Sequence, residues 1–127
     1  MANIKKFTAY AVWDLTNTTD AGTAGATITP AVTSVIPANA VVTGVLMLVD
    51  VACAGSSSTY TAMVGSEAIT AAIAVGSMDE DDVVTAVVAK RIDAGGSIGL
   101  AMHATNAATA GIVNIWVDYV ITNPELA

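Results

Sequence analysis

Apolar and polar side chains alternate with a period of two at both ends of the chain, which is the pattern of a β-strand with one buried face. The apolar set near the N-terminus is Phe7, Ala9, Ala11, Trp13 and Leu15. The apolar set near the C-terminus is Val113, Ile115, Val117, Tyr119 and Ile121. Each set alternates with a second set, which in the last strand is a mixed face of Asn114, Trp116, Asp118 and Thr122. The pattern therefore predicts one strand near each end of the chain.

The longest apolar stretch, AVVTGVLMLVDVACAG at residues 40–55, has no such alternation. It is too short for a membrane helix, which needs about 20 apolar residues, and Gly44 and Asp50 interrupt it. Its β-branched valines favour a strand. Counting by twos gives a first face with Val41, Thr43, Val45, Met47, Val49 and Val51, and a second with Val42, Gly44, Leu46, Leu48, Asp50 and Ala52. Because both faces are apolar, we expect a loop, the N-terminal segment or another subunit to cover one of them.

Further strands are predicted at residues 59–65, 83–92 and 98–104. The glycine pair in DAGGS, Asp93–Ser97, predicts a hairpin between the last two. Pro30 and Pro37 restrict their segments to sheet edges or loop crossings. Residues 66–75 are compatible with a short helix. The sequence thus predicts a single all-β domain, 1–127, with about six to eight strands, at most one short helix, and a sandwich or barrel architecture.

The composition indicates a core with little buried area per residue and an acidic surface. Of its residues 54% are hydrophobic but only 5% aromatic, so each buried side chain removes little area from water, and association with copies or with a larger surface would compensate. The net charge is −7 with only four basic residues, which excludes a nucleic-acid backbone as the partner. No membrane partner is expected either.

The sequence predicts no catalytic, cofactor or metal site. His103 is the only histidine and no G-x-S-x-G element accompanies it, so we expect no enzyme. Cys53 is the only cysteine, which rules out an internal disulfide and a cysteine-rich zinc site. The acidic run Asp79–Asp82 is interpreted as a solvated loop, with a weak cation site as the alternative.

Aromatic and basic residues supply the candidate contacts. Trp13, Trp116, Tyr10, Tyr60 and Tyr119 are interpreted as anchors for packing or subunit contacts, with a sugar-stacking platform as the alternative. Lys5 and Lys6 are half of the basic residues and are interpreted as solvated. The alternative is that residues 1–6 form an N-terminal arm that docks onto an acidic neighbour. The candidate interface residues are Lys5, Lys6, Phe7 and Trp116.

The stretches IPANAVVTGVLMLVDV and GSIGLAMHATNAATAGIVNIWVDYV resemble small virion proteins of tailed bacteriophages, of the capsid decoration or cement type. These proteins often have a Pro-Ala-x-Ala lead-in to a long apolar strand, a Gly/Ala/Thr hairpin and a terminal strand ending in an aromatic residue and valine. The resemblance implies a jelly-roll-like antiparallel β-sandwich, a homotrimer, and the major capsid protein as partner, contacted from outside the shell. It supplies no contact residues.

The leading hypothesis is therefore a structural virion protein on the capsid exterior that stabilises the shell at inter-capsomer junctions. A phage fibre, spike or tail component is one alternative. A carbohydrate-binding β-sandwich module is another, because the same fold serves unrelated functions.

Overall fold

The computed structural model describes residues 5–14, 27–54, 59–71, 73–74, 83–86, 90–102 and 110–121. Twelve strands and no helix lie in these ranges. The strands are β1 (Lys5–Asp14), β2 (Thr27–Ile28), β3 (Val32–Thr33), β4 (Val35–Ile36), β5 (Ala40–Ala54), β6 (Thr59–Val64), β7 (Glu67–Ala68), β8 (Ile73–Ala74), β9 (Val83–Ala86), β10 (Lys90–Ile92), β11 (Gly96–Met102) and β12 (Ala110–Ile121). The described part of residues 66–75 holds two short strands where the sequence left a helix open.

The strands form two antiparallel sheets that face each other across the core. The first sheet has the order β10-β5-β12-β1-β3, and β9 continues the line of β10 along the same strand, β5. The second has the order β2-β11-β6-β7, with β4 continuing the line of β2 along β11 and β8 adding to β6. Within the described ranges, no helix has the length and hydropathy that crossing a membrane requires.

The strand order is that of a jelly roll. If collinear pieces are joined, the main strand positions in chain order are β1, β2/β4, β5, β6, β7/β8, β9/β10, β11 and β12. The first, eighth, third and sixth of these lie side by side in the first sheet, and the second, seventh, fourth and fifth in the other. The predicted jelly-roll-like sandwich of six to eight strands is confirmed.

The predicted hairpin at Asp93–Ser97 is wrong. β10 belongs to the first sheet and β11 to the second, so the turn carries the chain across the sandwich. Gly95 has a φ of 71°, and a Cβ there would lie 2.6 Å from the carbonyl oxygen of Ile36. Gly95 therefore serves the close passage of this turn against the β4–β5 connection, and Gly96 a close approach to Gly65, rather than a two-stranded ribbon.

The faces predicted for the long apolar stretch also need correction. Between Val42 and Val45 of β5 the pairing with β12 skips Thr43, so that both valines are buried on the core side. A second skip falls at Asp50. Such β-bulges shift which residues face inwards, and counting by twos fails across them. Both counted faces look apolar partly because the buried residues fall at even positions before the bulge and at odd positions after it. Leu46 and Leu48 nevertheless lie on the outer side.

The core fills the space between the sheets with aliphatic residues, mostly valine, isoleucine and alanine, and one aromatic pair. Trp13 of β1 and Tyr60 of β6 are both almost fully buried, and their rings meet edge to face with centroids 4.3 Å apart. The apolar faces predicted for the first and last strands are confirmed as core sides by the burial of Ala11 and Ile115, and the strand predicted at residues 59–65 is confirmed as β6.

Short strands occupy the described edges of both sheets. In the first sheet β3 lies at one edge and the β9/β10 line at the other, and in the second the outer positions are β2/β4 and β7/β8. None of these pieces exceeds four residues, whereas β5 and β12 have 15 and 12 residues and are paired on both sides.

Candidate interaction surface

The outer face of the first sheet carries a row of apolar side chains that crosses five strands. The row is formed by successive cross-strand partners: Val32, Val12, Asn114, Leu48 and Val83. Val32 and Val83, at the two ends, are 53% and 61% exposed. Only Asn114, in the centre, is polar. Valines this exposed are well suited to contact another surface, because covering them removes apolar area from water.

A second row lies directly beside the first, two residues along each strand. It consists of Tyr10, Trp116 and Leu46, which are again cross-strand partners. The Tyr10 and Trp116 rings are 5.4 Å apart at their centroids and tilted by 40°. The Tyr10 hydroxyl donates a hydrogen bond of 2.6 Å to Asn114 Oδ1, which ties the two rows together. We call the apolar members of both rows the outer band: Val12, Val32, Leu46, Leu48, Val83, Tyr10 and Trp116.

A depression of about 470 Å³ adjoins the outer band where β5 bulges at Thr43. It is lined by Lys6, Phe7, Thr8, Thr43, Asp118, Tyr119 and Val120. The Thr8 hydroxyl donates a hydrogen bond of 2.7 Å to Asp118 Oδ1, and the Thr43 hydroxyl donates one of 3.3 Å to the Asp118 carbonyl oxygen. The first bond orients an exposed carboxylate at the depression, next to Trp116 on the same strand, and the second ties the bulge to the backbone of β12.

All four candidate interface residues lie on β1 and β12, but the structure does not bring them into one cluster. Lys5 and Lys6 are exposed and belong to β1, opposite Ile121 and Val120. Phe7 is 41% exposed and stacks on Tyr119 with ring centroids 5.3 Å apart. Trp116 lies in the outer band. Lys6 and Phe7 thus meet at the depression, while Trp116 is on the adjoining surface. Their role in contacts stays a prediction.

The five rings that the sequence singled out do not form a common platform. Trp13 and Tyr60 are buried in the core, Tyr119 stacks on Phe7, and only Tyr10 and Trp116 pair on the outer face. The interpretation of such rings as packing anchors fits the first two.

Other chemistry is sparse in the described part of the chain. His103 and the acidic run Asp79–Asp82 lie outside it, so their roles stay predictions. Among the described residues no group of three His, Cys, Asp or Glu side chains is placed to hold a metal ion. Cys53 is half-buried against the core, and burial raises the pKa of its thiol to about 11. Its thiol is therefore neutral near pH 7.

Sequence reasoning assigned no role to Asp118, Thr8 or the two exposed valines. Asp118 stood on the mixed face of the last predicted strand, but Thr8 is 110 residues away in the chain and only the β1–β12 register brings its hydroxyl to the carboxylate. Val32 and Val83 lie in short strands, in which too few residues alternate to reveal an outward face.

Two solved structures contain chains similar to this one over almost their whole length. One belongs to the cyanophage Pam1 capsid asymmetric unit, with a TM-score of 0.62 and 22% identity, covering 94% of this chain and 86% of that chain. The other belongs to the acidic stable capsid structure of Helicobacter pylori bacteriophage KHP30, with a TM-score of 0.64 and 12% identity, covering 97% and 95%. At these identities the likeness establishes a shared fold. No protein-family model and no curated protein sequence matches the chain.

Proposed function

We propose that this chain is a structural virion protein that decorates a bacteriophage capsid and stabilises it by binding the exterior at inter-capsomer junctions. The observation that carries the proposal is the fold likeness, over nearly the full length of both partners, to chains of two phage capsid structures. The sequence resemblance to decoration proteins supports the same role.

The outer band is the surface that we propose for attachment to the major capsid protein. It presents exposed valines at both ends and an aromatic pair near its centre, on the widest sheet of the sandwich. Contacts of this kind are individually weak, but a shell repeats each junction many times, so that multivalent binding multiplies their effect. Lys6 lies on the outer side at one end of the same sheet and extends the proposed contact, and the exposed Lys5 and Phe7 flank it at the same sheet end.

We also propose that the protein acts as a homotrimer. The core contains Ala9, Ala11, Ala40 and Ala62, whose small side chains contribute little burial. Association would add the apolar area that the isolated sandwich lacks. Sedimentation equilibrium of the purified protein tests this part separately, and a monomer at micromolar concentration would contradict it.

The function is tested with shells of the virus that encodes the chain, assembled without it. Purified protein should co-sediment with these shells and raise the temperature at which they rupture, as followed by access of a DNA-binding dye. Cryo-electron microscopy of the decorated shells should then reveal density on their exterior between capsomers. Shells that neither retain the protein nor change in rupture temperature would refute the proposal.

The two alternative functions, a tail or fibre component and a carbohydrate-binding module, predict different experimental results. A fibre, spike or tail component would be found on the tail of intact virions, with bare shells left undecorated. A carbohydrate-binding module would be retained on a glycan array, and Trp116→Ala would abolish that retention because stacking on the indole would be lost.

A further inference from the structure

Asp118 is an exposed carboxylate that is oriented but has no cationic partner among the described residues. Thr8 donates to Oδ1, and a carboxylate has room for further donors on both of its oxygens. Of the described basic side chains, Arg91 pairs with Asp93 and the Lys90 ammonium donates to the Ala68 carbonyl oxygen. No described lysine or arginine forms an ion pair with Asp118. The depression therefore offers a carboxylate that forms no ion pair with a described residue, although Lys6 also lines the depression.

The net charge of the chain argues against a second copy as the occupant. The outer side of the first sheet carries Lys6 and Arg91 as well as Asp14 and Asp118, but the whole chain carries −7. Two copies would therefore repel each other overall, whereas a partner with a basic surface would be attracted.

We infer that the depression at the Thr43 bulge receives a lysine or arginine side chain from the protein on which the sandwich docks, and that the Asp118 carboxylate pairs with it. The inference rests on the proposed function for the identity of that protein. An arginine fits well, because its guanidinium donates two parallel hydrogen bonds to one carboxylate. The apolar stem of either side chain would pack over the neighbouring outer band while its charged head enters the depression.

Lys6 lines the same depression and restricts what can enter it. A partner that presented only basic groups would meet repulsion from its ammonium group. The complementary surface therefore places a basic side chain opposite Asp118 and an acidic one opposite Lys6. This alternation fixes the orientation of the docked sandwich, which a uniform apolar contact would not do.

The pair Asp118→Asn and Asp50→Asn tests the inference. Each variant removes one exposed negative charge from the first sheet, but only the first lies in the depression. We expect Asp118→Asn to weaken co-sedimentation with bare shells about tenfold and to reduce its salt dependence, while Asp50→Asn remains close to the wild type. If wild-type protein binds the shells and the two variants behave alike, the inference is overturned and the proposed function stands.

If wild-type protein fails to bind the shells, the proposed function is refuted. NMR then tests separately whether the depression binds a basic group. Arginine amide is titrated into ¹⁵N-labelled protein. Saturable shifts of the Thr8 and Asp118 amide signals that disappear in Asp118→Asn would support a site for a basic group. Their absence from the wild type would overturn that as well.

Discussion

Trp13 and Tyr60 join the two sheets through a single ring contact, with their centroids 4.3 Å apart and their planes inclined by 61°. Trp13 comes from β1 in the first sheet and Tyr60 from β6 in the second. The rest of the described core is aliphatic, and these two rings are its largest fully buried side chains.

Trp13→Ala should therefore lower the free energy of unfolding by about 3–5 kcal/mol, because it removes a large buried side chain and leaves a cavity between the sheets. Urea denaturation followed by circular dichroism measures the change. Trp116→Ala is the matched control, since its indole is only half-buried on the outer face and its loss should cost about 1 kcal/mol. Equal losses would contradict the central role of the Trp13–Tyr60 contact.

Gly95→Ala should destabilise the protein by about 2 kcal/mol or more. The residue has a positive φ, and its Cβ would lie 2.6 Å from both Ile36 O and Ala38 N. Gly44→Ala is the control, since a Cβ there meets nothing within 4 Å and the change should stay within about 1 kcal/mol. Thermal unfolding of both variants gives the comparison, and a tolerated Gly95→Ala would show that the turn can move aside.

The Cys53 thiol should react slowly. Its pKa of about 11, against an ordinary value of 9.0, lowers the thiolate fraction about 100-fold at pH 8. The more basic thiolate is also more nucleophilic, so alkylation by iodoacetamide should be about tenfold slower in the folded than in the urea-unfolded protein. The thiol's contribution to stability is complete below pH 9. It is lost as the pH rises towards 11, because the unfolded thiol ionises first. Cys53→Ala should lack this component of the pH dependence.

Val83→Asp should reduce attachment to bare shells, because it puts a charge into one end of the outer band. Val35→Asp is the control: Val35 is 68% exposed and Val83 61%, both lie in edge strands, and Val35 pairs with β11 in the opposite sheet. We expect about a tenfold loss for Val83→Asp and little change for Val35→Asp. A larger loss of binding for Val35→Asp than for Val83→Asp would indicate that the attachment surface is on the second sheet.

The double variant Lys5→Glu and Lys6→Glu should also weaken attachment if these lysines contact an acidic neighbour. The introduced glutamates would repel that neighbour, and added salt should recover part of the binding by screening the repulsion. Co-sedimentation across a salt series measures both effects. Attachment equal to that of the wild type at every salt concentration would remove the lysines from the interface.

The strands at the two ends of the chain could be predicted because their alternation continues without interruption through Ala11 and Ile115. The faces of β5 could not, because Val42, Thr43 and Val45 all suit a strand and nothing in their side chains marks the skipped residue. Likewise, the glycines of Asp93–Ser97 correctly predicted a turn. Whether the chain returns within one sheet or crosses to the other depends on which distant strands the flanking segments pair with.

The sequence could identify single residues of the candidate site, but not their arrangement in space. Lys6 and Trp116 were identified from their chemistry, yet the depression depends on the register that sets Thr8 opposite Asp118 and on the bulge at Thr43. Cross-strand register between segments more than 100 residues apart in the chain follows from the global topology, which local patterns do not encode.

The fragmentation of the outer strands matters for a protein that would be crowded in many copies. A long, straight border of free amide and carbonyl groups is a template for fibril growth. The outermost described strands of this sandwich are pieces of two to four residues, although β3 pairs with only Ala11 and Val12 of the longer β1. Amyloid-like stacking of neighbouring molecules is thereby discouraged, even though the strands themselves are rich in valine and alanine.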